Sequence, residues 1–156
     1  MISTIFRRSS QASRLIGGPL PLHCDIGVPA VVTVTEDVAA GGQIWTRLYA
    51  RAKGFPQAIH TSKRFRGATG LEEYLGCGFG MSLVVHVENG AIVFRSTGYS
   101  LEAFGRKWKW PAFLSPGALT VTHAEAGSGR FSFTLLVEHP WLGVLVRQRA
   151  VFREVA

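Results

Sequence analysis

The chain has 156 residues, of which 47% are hydrophobic and 17% are charged, with a net charge of +7. At this length we expect one compact domain, and the apolar content excludes a chain that is disordered throughout. The positive charge would attract phosphates, acidic lipid headgroups or nucleic acid, but no run of cations is longer than two, which favours the solvated faces of strands and turns.

Cysteine usage and the N-terminal sequence indicate a soluble, cytoplasmic protein. Cys24 and Cys77 lie far apart and have no partners at metal spacing, so neither a disulfide framework nor a zinc site is indicated. The N-terminal residues lack the continuous apolar core of a signal peptide. No stretch reaches the roughly 20 apolar residues needed to span a bilayer, so we expect no transmembrane segment.

From Val28 onward, apolar residues recur at every second position in short segments, which is the period of a strand. The first predicted strands, in chain order, lie in VPAVVTVTED, GGQIWTRLYAR, PQAIHTSKRF and TGLEEYLG. Residues 1–20 are expected to form an arm or a short helix with poor periodicity. Residues 21–156 are expected to form a single β-barrel-like domain.

The strongest hairpin signal is FGMSLVVHVENGAIVFRSTGYSL, where two alternating runs flank Asn89 and Gly90. These two residues accept the positive φ angles of a type I′ turn. A second hairpin is predicted in GALTVTHAEAGSGRFSFTLLVEH, and a last strand, VLVRQRAVFREV, follows the turn PWLG. Between the two hairpins, KWKWPAFLSPG is interpreted as a long loop. Its Trp108, Trp110 and Phe113 either cover one end of a barrel or form a lid that admits a ligand.

About eight or nine strands joined by short turns predict an all-β fold, mainly antiparallel. Several strands carry bulky residues on both faces, and a flat sheet would leave its edges unprotected. The sequence therefore favours a curved meander sheet or a closed β-barrel of the calycin or lipocalin kind. GCGFG, at residues 76–80, lacks a third glycine at the G-x-G-x-x-G spacing and the following helix of a phosphate loop, and we interpret it as a bulge or sharp corner.

No motif for a cofactor, a metal or specific nucleic-acid recognition is present, so none of these is expected. No two of the five histidines stand at metal-ligand spacing with a carboxylate. His86 lies on the more polar face of its strand, near Ser82 and Glu88, where it could meet a partner across the sheet. A hydrogen-bonded structural histidine is the alternative.

Two short stretches carry the remaining candidate chemistry. In LEEYLG, Glu72 and Glu73 must point to opposite faces of a strand, so only one can line an interior. That carboxylate would act as a general acid or base, or else pair with Arg47, Arg95 or Arg147. In WTRLY, Trp45, Arg47 and Tyr49 share one face. There the guanidinium would grip a carboxylate or phosphate, or simply stack on the aromatic rings.

The ordered series IWTRLY, LEEYLG, NGAIVFRSTGY, WPAFLSP and GRFSFTLLVEHPWLGVLVRQ resembles the bacterial family called domain of unknown function 4166. The similarity covers about residues 15–153 and places the family's W-x-R on Trp45 and Arg47 and its E-x-x-G on Glu73 and Gly76. The chain departs from the family at Gln43, where an acidic residue is common. Members stand alone or follow a saccharopine-dehydrogenase-like Rossmann domain, so the resemblance implies a reductase-like protein partner. It implies no activity.

Three functions follow from these observations. The first is a domain that holds a small amphipathic or lipid-like molecule inside a β-barrel. The second is an enzyme with Glu73 or His86 as acid or base and Arg47 as an anion clamp. The third is an interaction module for a reductase-like partner or an acidic surface. The candidate ligand-binding residues are Trp45, Arg47, Tyr49, Glu73, His86, Arg95, Trp108, Trp110 and Phe113.

Overall fold

A computed structural model describes residues 25–154, and the arm predicted for residues 1–20 lies outside them. The described part forms strands and one 3-10 turn, Ala112–Leu114. The strands are β1 (Ala30–Asp37), β2 (Gly42–Tyr49), β3 (Gln57–Arg64), β4 (Leu71–Gly76), β5 (Phe79–Glu88), β6 (Ala91–Ala103), β7 (Arg106–Lys109), β8 (Ala118–Glu125), β9 (Arg130–His139) and β10 (Gly143–Arg153). The predicted all-β fold is confirmed. No helix among residues 25–154 is long and apolar enough to cross a membrane.

All strands belong to one antiparallel meander in the order β1-β2-β3-β4-β5-β6-β8-β9-β10. The long β6 carries two neighbours on one edge, because residues 92–95 pair with β8 and residues 100–103 pair with β7. Among the described residues, β1 and β10 form no hydrogen-bonded ladder with each other. The sheet is therefore a curled half-barrel, and of the two predicted forms the curved sheet is the one observed.

The core lies on one face of this curled sheet, which we call the inner face. Its buried side chains come from β5, β8, β9 and β10 and include Met81, Leu83, Leu119, Val137 and Val146. The register shifts after Tyr74, Ser82 and Val144 are β-bulges, where one strand has an extra residue and its alternation is displaced by one position.

A second, smaller cluster brings the two ends of the sheet together. Phe152 of β10 packs against Ala30, Tyr49 and Ile59, which belong to the first three strands. The seam between β1 and β10 is thus closed by side chains and not by backbone hydrogen bonds.

The Asn89–Gly90 hairpin is confirmed, with φ angles of 51° and 75° at the two turn residues. GCGFG is a tight corner, because Gly76, Cys77 and Gly78 all have positive φ. The prediction that KWKWPAFLSPG is a loop was wrong for residues 107–109, which belong to the edge strand β7. Pro111 lies after the last residue of β7 and so removes no hydrogen bond from it. β7 pairs with the end of β6 that extends beyond β8 and would otherwise be a free edge.

Candidate ligand site on the inner face

Strand alternation places a polar group on the inner face of β2, β3 and β4. Arg47 of β2 lies opposite Ile59 of β3, and Lys63 of β3 lies opposite Glu73 of β4. Side chains two residues apart on a strand share a face, so the site takes three residues from β2, two from β3 and one from β4. Its members are Trp45, Arg47, Tyr49, Thr61, Lys63 and Glu73.

Three of these groups form a buried ionic network. Arg47 donates one hydrogen bond of 3.1 Å to Thr61 Oγ1 and another of 3.1 Å to Glu73 Oε1. The Lys63 ammonium lies 3.6 Å from Glu73 Oε2. The side chains of Arg47, Lys63 and Glu73 are only 13%, 12% and 9% exposed. Both oxygens of Glu73 are therefore engaged, each by a different cation.

Aromatic rings surround the two cations. Lys63 Nζ lies 4.1 Å from the centre of the Trp45 ring and 5.9 Å from that of Phe94, and the Arg47 guanidinium lies 6.0 Å from the Trp45 ring. Such contacts stabilise a cation that has lost part of its water. The aromatic surface continues from Phe94 to His123, whose ring centres are 5.7 Å apart.

The network shifts the acidity of its members. Burial alone would raise the pKa of the Glu73 carboxyl, but Lys63, Arg47 and the Thr61 hydroxyl outweigh burial and hold that pKa below its ordinary value. Burial lowers the pKa of the Lys63 ammonium, and Arg47 lowers it further, while Glu73 only partly opposes them. At neutral pH, Glu73 is therefore a fixed anion, and the charged form of Lys63 is disfavoured relative to an exposed lysine.

Two polar groups next to the network are buried, and one of them, the Gln148 side chain, has no hydrogen-bond partner among the described residues. Burial raises the pKa of the Tyr49 hydroxyl, and the neighbouring Gln148 and Arg47 oppose this rise. Gln148 is only 1% exposed, and neither its Oε1 nor its Nε2 makes a hydrogen bond of normal geometry within residues 25–154. Tyr49 is thus near Gln148 without being well aligned with it. A buried amide without partners is costly, and a bound polar group would satisfy it.

His86 and Arg95 lie on the outer face, away from this site. His86 Nε2 is 3.4 Å from Glu88 Oε2, and Arg95 donates a 2.9 Å hydrogen bond to the same oxygen. His86 neighbours the inner-facing Val85 along β5, so alternation turns its side chain outward. The structure therefore does not bring His86 or Arg95 together with Arg47 and Glu73.

The three aromatic residues of the predicted cover have different environments. Trp110 packs edge-on against Phe79, with ring centres 5.4 Å apart, and its Nε1 donates to the carbonyl of Leu114 at 3.0 Å. Trp108 and Phe113 are 46% and 68% exposed. Trp110 is thus part of the packing, while Trp108 and Phe113 face solvent.

Glu72 points to the outer face, opposite to Glu73. Its side chain is 1% exposed and is held by Arg66 at 2.8 Å and by Lys107 of β7, while Arg66 also bonds Glu102 at 3.0 Å. Burial would raise the pKa of Glu72, but Lys107 and Arg66 lower it below the ordinary value. We call this group of four residues the outer clasp, because it fastens β7 to β4.

Sequence reasoning missed Lys63, Thr61 and Gln148. The available signal was the inner face of PQAIHTSKRF, where Ile59, Thr61 and Lys63 alternate. A lysine on the same strand face as buried residues is unusual, so Lys63 could have been predicted as a site residue. Gln148 alternates with the buried Val146 and Ala150 and offered the same signal, but its proximity to Tyr49 could not be predicted, because the two lie on strands distant in sequence.

No group of three or more metal-ligating side chains occurs within the described range 25–154. The fold and the site together define the class of protein: an antiparallel half-barrel that buries two cations and one carboxylate on its inner face. The family described as Domain of unknown function (DUF4166) matches residues 2–152, and the chain belongs to it. Comparison with curated proteins and with solved structures returned no significant match.

Proposed function

We propose that this protein binds a small amphipathic anion, lipid-like in character, on the inner face of the half-barrel. The observation that supports the proposal is the imbalance of buried charge, since Arg47 and Lys63 share the single carboxylate of Glu73. The acidic head of the ligand would complete the neutralisation, and its apolar part would lie along the inner face.

The physical argument rests on the cost of an uncompensated buried charge. An ion removed from water loses several kcal/mol of solvation, which a partner of opposite charge must offset. Glu73 can offset one of the two cations. Within residues 25–154, no other carboxylate forms an ion pair with Arg47 or Lys63. A carboxylate or phosphate head fits the remaining charge, and the Arg47 fork suits either group.

The apolar part of such a ligand has a surface to contact. Val34, Val85, Ile92 and Phe131 lie on the inner face and remain 37–48% exposed. Val85 pairs with Phe94, and Ile92 pairs with His123, so this exposed apolar surface continues into the aromatic rings around Lys63. The arrangement matches the common pattern of an apolar binding surface with a few polar groups that orient the ligand.

The same geometry favours binding over acid–base catalysis. A general acid or base works best with a pKa near the operating pH. The pKa of Glu73 is held below its ordinary value, and both of its oxygens are occupied. His86, the other candidate, is on the outer face.

The test is native mass spectrometry with dodecanoate, dodecyl phosphate and dodecanol, which share a chain and differ in the head. We expect retained mass with the two anions and little with the neutral alcohol. Arg47→Gln and Lys63→Gln should each weaken anion binding about 10- to 100-fold, the effect of losing a charge-assisted hydrogen bond of about 1.5–3 kcal/mol.

Arg95→Gln is the matched control, because it removes one cation from the exposed outer face. It should bind the anions as the wild type does, and thermal melts should show that all three variants are folded. Equal binding of dodecanol and dodecanoate, or equal weakening by Arg95→Gln, would contradict the proposal.

A further inference from the structure

One end of the half-barrel exposes a set of large apolar side chains on its loop tips. They come from the β6–β7 turn, from β7 and the 3-10 turn after it, and from the β9–β10 turn. We call this set the aromatic end; its members are Phe104 (99% exposed), Trp108 (46%), Phe113 (68%), Leu114 (56%), Trp141 (77%) and Leu142 (69%). Scattered exposed apolar residues are ordinary, but a group of six on neighbouring loops indicates an interaction surface.

The segment that follows the 3-10 turn is held next to the end of β9. Gly117, three residues after Leu114, lies against β9 so closely that a β-carbon there would overlap the carbonyl oxygen of Glu138. The Tyr99 hydroxyl donates a 2.8 Å hydrogen bond to the Gly117 carbonyl. The 3-10 turn is therefore fixed beside the end of β9, where Trp141 and Leu142 follow.

The β9–β10 turn is itself fixed with its large side chains outward. The backbone amides of Trp141 and Leu142 both donate to His139 Nδ1, at 3.2 Å and 3.3 Å. His139 is buried, with 8% of its surface exposed, and its ring packs edge-on against Trp141. The exposure of Trp141 is thus a property of an ordered turn.

The loop that carries Phe104, Trp108, Phe113 and Leu114 has charges of one sign, whereas Glu138, three residues before Trp141, is an exposed carboxylate. Residues 103–117 contain Arg106, Lys107 and Lys109 and no carboxylate. Lys107 is used by Glu72 in the outer clasp. Arg106 and Lys109 form no ion pair with any described residue, and both are exposed. The aromatic end therefore presents free cations beside its apolar tips.

We propose that the aromatic end docks on the surface of an anionic lipid bilayer. Tryptophan and phenylalanine side chains partition into the headgroup region, and basic side chains beside them meet the acidic headgroups. Each lysine or arginine near such a surface strengthens binding about fivefold. A bilayer accepts separate apolar tips at several positions, whereas a protein partner needs a matching pocket for each of them.

The experiment is flotation of the full chain with vesicles of phosphatidylcholine alone or of phosphatidylcholine mixed with phosphatidylglycerol. We expect binding to the mixed vesicles, little binding to the neutral ones, and a decrease as salt is raised. Trp141→Ser with Phe113→Ser should reduce binding at least tenfold, and Lys109→Glu with Arg106→Glu should do the same.

The controls change the same residue types elsewhere. Phe65→Ser removes a 73% exposed ring from the β3–β4 connection, and Arg149→Glu reverses a charge on the exposed outer side of β10. Both should bind vesicles nearly as the wild type does, apart from the general effect of net charge in Arg149→Glu. Arg47→Gln, which tests the inner site, should leave vesicle binding unchanged, so the two proposals can fail separately.

Three results would overturn this inference. The first is equal binding to neutral and anionic vesicles, and the second is equal loss in the control variants. The third is concentration-dependent self-association in sedimentation that Trp141→Ser abolishes while no variant binds vesicles, since the aromatic end would then be an interface between copies of this chain.

Discussion

On the inner face, His123 is a titratable side chain that packs as an aromatic ring. Its ring lies 5.7 Å from Phe94, 6.2 Å from Phe131 and 5.2 Å from Phe133, measured between ring centres. Burial lowers the pKa of its imidazole, and Lys63 and Arg47 lower it further. The ring is thus used as an aromatic group whose protonation is opposed by its surroundings.

A direct consequence is an acid-sensitive contribution to stability. Below its ordinary pKa of about 6.5, His123 takes up a proton in the unfolded chain before it does so in the folded one, so folding loses stability as the pH falls through that range. His123→Phe keeps the ring and removes the proton. We expect the difference in unfolding free energy between pH 7.5 and pH 5, measured in urea, to shrink in this variant.

His60→Phe serves as the comparison, because His60 is exposed and bonds Thr46 on the other side of the sheet. It should keep the pH dependence of the wild type. An unchanged pH dependence in His123→Phe would show that His123 is not responsible for the acid loss.

Among the elements, β7 is the one whose attachment depends on a few side chains. It has four residues, pairs with β6 alone, and has no buried residue. The outer clasp fastens it through Lys107 to the fully buried Glu72. Gly80 and Ser100 lie close to the Glu72 side chain, and a β-carbon on Gly80 would be 3.0 Å from the Glu72 carboxylate. The Glu72 side chain therefore has little freedom to move.

We expect Lys107→Met to lower the unfolding free energy by about 1–2 kcal/mol, because a buried carboxylate loses one of its two charged partners. Faster amide exchange in β7 should accompany the loss. Lys109→Met makes the same chemical change two residues away, where no ion pair is present among the described residues, and should change stability by less than about 0.5 kcal/mol. Equal effects of the two substitutions would contradict the role of the clasp.

The strands were predictable from sequence because burial on one face leaves a period of two, as in the Asn89–Gly90 hairpin. The same alternation gave the common face of Trp45, Arg47 and Tyr49 and the opposite faces of Glu72 and Glu73. Contacts between side chains that are far apart in the sequence produce no such periodic pattern. Neither the contact of Phe152 with Ala30 nor the proximity of Gln148 to Tyr49 follows from local pattern, because both depend on how far the sheet curls.

At the scale of the whole molecule, the closing of the sheet depends on Phe152. This side chain joins β10 to the cluster of Ala30, Tyr49 and Ile59, although β1 and β10 share no ladder within residues 25–154. It also stacks on Phe131, with ring centres 5.6 Å apart.

Phe152→Ala should therefore lower the unfolding free energy by about 2–4 kcal/mol. It should also raise the rate of amide exchange in β1 and β2, although neither strand pairs with β10. Phe65→Ala, at a 73% exposed ring, should cost less than about 0.5 kcal/mol. Exchange that rises in β9 and β10 alone would show that Phe152 does not hold the seam.

A seam of side chains has a different mechanical character from a ladder of hydrogen bonds. Widening a closed barrel breaks backbone pairs, each of which must then find a new partner. Widening this half-barrel breaks no backbone ladder between β1 and β10, and Phe152 can move over its apolar neighbours, whose contacts are individually weak. We therefore expect the girth of the inner face to be more adjustable than that of a closed barrel, while the charges on β2, β3 and β4 stay fixed in their ladders. For the amphipathic anions proposed as ligands, we therefore expect selectivity for the head group and tolerance of different tails.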